Sequence, residues 1–122
     1  MLSASFVVLA ATVLFGSVLA VPYLRGGAVR AASWPVAALH GIIGIGGLGF
    51  LVLGLRGPPP GLDQGTAMFG PIAAALLGVA MLAGLCILYL HRGRKRRAAT
   101  LIGVHATLAI SGFVVLAAYL FA

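Results

Sequence analysis

Residues 34–55 read WPVAALHGIIGIGGLGFLVLGL, a run of 22 positions without Asp, Glu, Lys or Arg. As a helix rising 1.5 Å per residue it would be about 33 Å long, enough to cross a hydrocarbon core of about 30 Å. Ser33 before Trp34-Pro35 supplies a good start, with serine as cap and proline in the first turn. The one ionisable side chain in the run is His40. Ionisable groups in lipid are costly and mark function by default.

Three further stretches have the same character, which sets the expected spans at 6–24, 34–55, 67–90 and 99–121. Between them lie Gly26-Gly27, the breaker Gly57-Pro58-Pro59-Pro60-Gly61, and a basic run from Arg92 to Arg97. The first apolar stretch lacks a basic start and is longer than the roughly 7–15 residues of a signal-peptide core, so it reads as a retained span. The expected architecture is all-α: one integral membrane domain, residues 1–122, built as a four-helix transmembrane bundle.

Composition agrees. The chain is 62% hydrophobic and only 7% charged, with a mean hydropathy of +1.20. Soluble domains carry about 25% charged residues, so a water-facing surface could not be covered here. The net charge of +7 comes from eight basic residues and Asp63. Because the basic residues cluster in the connections between spans, they read as topology signals and no nucleic-acid partner is expected. Arg25, Arg30, Arg92, Arg94, Lys95, Arg96 and Arg97 fall on one face, which should be cytoplasmic. Both termini would then be periplasmic, in the inner membrane of a bacterium.

The two halves align. Setting His40 on His105 pairs Ile45 with Ile110, Gly47 with Gly112, Leu51 with Leu116 and Leu55 with Leu120. Upstream, Tyr23-Leu24-Arg25 parallels Tyr89-Leu90-His91 with the offset changed by one. An apolar chain also matches itself by chance, so duplication of a two-helix hairpin stands beside coincidence. Depth needs no repeat: His40 lies ten residues past Arg30 and His105 eight past Arg97, about 15 and 12 Å along helices entering from the same side.

Three roles compete for this pair: hydrogen-bonding glue between helices, proton or quinone chemistry, and axial ligation of haem. A relay would need further ionisable partners at depth, and the spans contain no Asp, Glu, Lys or Arg. The i+4 and i+7 positions are Gly44 and Gly47 for His40, and Ala109 and Gly112 for His105, two smooth stripes on which a porphyrin could lie. Haem b is therefore the expected cofactor, with His40 and His105 as metal ligands, Arg30 as a propionate partner and a quinone as the alternative occupant. Arg25 and Arg92 are further propionate candidates. Cys86, Met68 and Met81 read as apolar filler, and Trp34, Tyr23, Tyr89 and Tyr119 as residues of the headgroup layer. Gly78 and Gly84, with Ala74 and Ala80, have the spacing of close helix contact.

On His40 with Gly44 and Gly47, and His105 with Ala109 and Gly112, the chain resembles the small four-helix membrane cytochromes b. That resemblance implies electron transfer through haem held by histidines on separate spans. Many such proteins carry a second histidine pair near the opposite face, and this chain has none. The resemblance then implies a single-haem module working with a quinone or a redox partner in a respiratory or photosynthetic complex. No nucleophile–base or carboxylate pair is present, so the chain is not expected to be an enzyme by itself. The alternative is a non-catalytic accessory subunit of such a complex.

Overall fold

The computed structural model describes residues 1–24, 34–57, 66–90 and 95–121. Four helices follow in order: α1 (Leu2–Leu24), α2 (Trp34–Gly54), α3 (Phe69–Leu90, entered through a 3-10 turn at Thr66–Met68) and α4 (Lys95–Phe121). Each contains at least 20 residues apolar enough to cross a membrane, and the chain is a multi-pass membrane protein. Two boundaries differ from the hydropathy reading. α1 starts four residues earlier, through Leu2-Ser3-Ala4-Ser5, and α4 starts in the basic run at Lys95. Hydropathy marks the part of a helix in lipid, whereas Lys and Arg are good helix formers that continue it beyond.

α1 packs antiparallel on α2 turn by turn. Where glycines bring the backbones close, the facing pairs are Leu2 with Gly54, Leu9 with Gly47, Thr12 with Gly44 and Gly16 with His40. α3 and α4 repeat the arrangement with Gly70 against Tyr119, Leu77 against Gly112 and Gly84 against His105. The hairpins meet along narrower α1–α4 and α2–α3 seams, so α2 and α4 stand on a diagonal of the bundle. Phe6 of α1 stacks on Phe113 of α4 across one seam, with centroids 5.0 Å apart.

The two hairpins are packed as near-copies. Ser5, Leu9 and Thr12 are buried in α1, and the residues 68 positions later, Ala73, Leu77 and Ala80, are buried in α3. Leu51 and Leu116, 65 positions apart, are both at 0% exposure, while Ile45 and Ile110 are exposed to nearly equal degrees, 50% and 48%. The offset between α2 and α4 is thus the one that aligns the histidines. For α1 and α3 it is 68, two more than the Tyr23-to-Tyr89 match implied; Arg25 and His91 of that match lie outside the described residues. One position is exchanged between the copies. Gly54 receives Leu2 in the first hairpin, whereas in the second the glycine is Gly70 and the large side chain is Tyr119. Tyr119, expected in the headgroup layer, is instead a core residue at 6% exposure.

Core burial is confined to one half of the bundle. Leu9, Leu51, Ala73, Leu77, Leu116 and Tyr119 form the core cluster, with Phe6, Leu48 and Phe113 packed on it. Toward the histidines, no described residue in 13–21, 35–46, 81–89 or 99–111 is fully buried. The helices are therefore sealed at the end holding Leu2 and Phe121, and more loosely filled at the other.

Candidate functional site: the paired histidines

His40 and His105 project from diagonal helices into the loosely filled half. Their ring centroids are 6.1 Å apart and their planes make an angle of 75°. The expected meeting of the two imidazoles at one level is what the structure holds. The sealed half fixes the register that makes it so, because Leu9 on Gly47 and Leu77 on Gly112 set how α2 and α4 slide along their partners.

Each ring lies against a glycine of the preceding helix. A Cβ on Gly16 would come within 2.8 Å of Cε1 of His40, and one on Gly84 within 3.1 Å of Cε1 of His105. Any side chain there would press on the imidazole, so these glycines shape the site. Gly84 had only the general spacing of a helix contact, and Gly16 carried no sequence signal. The constant pairing in each hairpin is the clue that finds both once the helix neighbours are known.

The rings differ in their polar contacts. Nδ1 of His105 donates to the carbonyl oxygen of Ala80 at 2.7 Å. A carbonyl only accepts, so this nitrogen carries the proton, and in the neutral ring Nε2 keeps a free lone pair. Nδ1 of His40 is buried and has no partner among the described residues. Phe15 meets the same ring edge-on, with centroids 5.9 Å apart.

The glycine stripes fall elsewhere than expected. A Cβ on Gly47 would meet Leu9 and Val8, one on Gly112 would meet Leu76 and Leu77, and one on Gly44 would touch Thr12. These residues seat the helices of their own hairpin and are filled surfaces, which corrects their reading as open beds for a flat cofactor. Ser5 reinforces the same contact by donating its hydroxyl to the Gly47 carbonyl at 3.0 Å. Ala109 is half-buried. Arg30, with Arg25 and Arg92, lies outside the described residues.

Among the described residues no group of three His, Cys, Asp or Glu side chains assembles to hold a metal ion. Cys86 is exposed on the outer side of α3, lining a shallow apolar groove with Leu82, Leu85 and Tyr89. The chain matches no protein-family model, no curated protein and no solved structure.

Proposed function

We propose that the protein is a b-type haem protein of the membrane that carries electrons, with His40 and His105 as its two axial ligands. The observation that carries this reading is the spacing of the rings. A metal–imidazole bond is about 2.0–2.1 Å, and with about 1.2 Å from nitrogen to ring centre, two imidazoles on one metal have centroids roughly 6.4 Å apart. The observed 6.1 Å is within a few tenths of that.

The donor set also suits haem better than a bare ion. A structural metal site takes about four protein ligands, and here two imidazole rings meet. Two axial ligands suffice for an iron that arrives with four nitrogens of its own. Gly16 of α1 and Gly84 of α3 make room for the two imidazoles themselves, since a Cβ at either would come within 2.8 or 3.1 Å of a ring. The His105–Ala80 bond is the outer partner that histidine ligands characteristically have.

When bound, the haem would supply a one-electron centre; the protein's part is to hold, orient and shield it. Seven of the eight basic residues fall, in the sequence, at 25–30 and 92–97, the stretches between the first and second and between the third and fourth spans. This charge pattern supports a site in the cytoplasmic leaflet of a bacterial inner membrane, with both termini periplasmic, and Arg30 remains the propionate partner that the sequence suggests. A single centre in one leaflet calls for a second redox agent, a quinone or a protein partner. The reading is tested by purifying the chain from haem-replete cells. One haem per chain with a b-type reduced-minus-oxidised spectrum supports it, and a colourless protein that takes up no added haemin overturns it.

One observation favours a second reading, an accessory subunit of a larger membrane complex. Gly46 and Gly49 are exposed on α2, with nothing within 4 Å of where their Cβ atoms would be. Bare glycine on an outward helix face lets another helix approach closely. Both readings hold together if the haem module docks through α2. Gly46→Leu would then release the chain from its complex while leaving its haem in place.

A further inference from the structure

The repeat sets α2 and α4 at opposite corners of the bundle, and each turns an unpartnered face outward. The exposed positions correspond one to one. On α2 they are Ile42, Ile45, Gly46, Gly49 and Leu53; 65 residues later on α4 they are Thr107, Ile110, Ser111, Val114 and Ala118. Both sets keep the three- and four-residue spacing of a single helix face. Exposure is thus repeated between the two faces, but side-chain size is not. Ile42 answers to the smaller Thr107 and Leu53 to Ala118, whereas Gly49 answers to the larger Val114.

Two hydroxyls one turn apart lie on the α4 face. That of Thr107 donates to the Gly103 carbonyl at 2.9 Å. That of Ser111 makes no hydrogen bond among the described residues. A hydroxyl left in hydrocarbon is costly, and serine on a membrane helix is readily satisfied by a neighbouring helix. The fold already contains such a contact, because Ser5 of α1 donates to the Gly47 carbonyl at 3.0 Å where glycine brings the backbones close.

We propose that the α2 face of one copy docks on the α4 face of a second copy of this chain. The proposal rests on the reading of α2 as a docking helix, not on haem, and it names the helix that docks. Copies in one membrane stand the same way up, and α2 and α4 run in the same direction, so the two faces meet level with level. Large then meets small at three levels, with Ile42 on Thr107, Val114 on Gly49 and Leu53 on Ala118. Between them the Ser111 hydroxyl faces the bare backbone at Gly46, as Ser5 does at Gly47. Pairing α2 with α2 would set Ile42 on Ile42 and Leu53 on Leu53 and give Ser111 no partner. Because the two faces point away from each other, the contact is head-to-tail and builds a row or a ring of copies.

The test is fluorescence energy transfer between full-length chains in phospholipid vesicles, labelled at their single cysteine, the exposed Cys86. Wild-type chains should associate. Gly46→Leu and Ser111→Leu each block one face at an exposed position. Each should raise the dissociation constant about 5- to 150-fold, the range that overpacking of a close contact implies. Mixed together, the two variants should pair with wild-type strength, since each keeps the face that the other needs. Gly49→Leu and Ala118→Leu repeat the experiment at other levels of the same faces, and circular dichroism checks that every variant keeps its helices. Undiminished self-association of Ser111→Leu would mean α2 on α2, and it overturns the proposal. So does a mixture that associates no better than its components. A wild type that stays monomeric overturns the pairing of copies, while docking of α2 on a larger complex keeps its separate test in the release caused by Gly46→Leu.

Discussion

Gly16 stands so close to His40 that a Cβ added to it would lie 2.8 Å from Cε1 of the imidazole. Contacts that short force the ring to move. Overpacking of this kind costs about 1–3 kcal/mol, so Gly16→Ala should weaken haem retention by roughly 5- to 150-fold if the ring must keep its place to bind. Gly84→Ala, with Cε1 and Nδ1 of His105 at 3.1 and 3.2 Å, should act in the same direction but less severely. Gly78→Ala, on α3 with open space around it, is the control and should leave haem titrations unchanged.

The packing of the two hairpins predicts different tolerances at equivalent glycines. At Gly47 the crowding atoms are side-chain atoms of Leu9 and Val8, which can turn away. At Gly112 they include Cβ of Leu76 and the backbone nitrogen of Leu77, which cannot. Gly112→Ala should therefore destabilise the protein more than Gly47→Ala, with the former at about 1–3 kcal/mol. Thermal unfolding in detergent, followed by circular dichroism, checks the order.

Leu2 and Gly54 exchange roles with Gly70 and Tyr119 between the hairpins, which makes the pair swappable. Gly54→Leu alone should destabilise, because its Cβ already meets Leu2 at 2.8 Å. The double change Leu2→Gly with Gly54→Leu should recover most of the loss, since it reproduces the second hairpin's arrangement of small residue on α3 and large residue on α4. A double-mutant cycle without positive coupling contradicts the shared packing scheme.

Among the described residues Ser5 is the one buried side chain bridging α1 and α2 by a hydrogen bond, and its counterpart in α3 is Ala73. The second hairpin closes without that bond. Ser5→Ala should accordingly cost no more than about 0.5–1.5 kcal/mol and leave the histidine site untouched, as measured by unfolding and by the haem spectrum together.

The four spans and the common level of the histidines were legible in the sequence because both depend on quantities a linear chain carries: hydrophobic length, charge placement and residues counted from a basic boundary. The fate of the small residues was not. Gly44, Gly47 and Gly112 lie on the same helix faces as the histidines, yet each face is shared between a hairpin neighbour and the bundle interior, and spacing alone does not say which neighbour fills it. Nearly uniform apolarity removes the signal that amphipathic helices of soluble proteins provide. Gly16 gained meaning only when α1 was set against α2. The burial of Tyr119 was missed for a related reason, since a tyrosine near a helix end suits both the headgroup layer and a glycine-lined pocket such as that at Gly70.

The central claim is that His40 and His105 share one iron. Electron paramagnetic resonance of the oxidised, haem-loaded protein tests it most directly. The account predicts a low-spin ferric signal from two imidazole ligands, turning high-spin in His40→Ala and vanishing with the haem in His105→Ala. A wild-type signal that is high-spin, or a low-spin signal that survives in both variants, contradicts it.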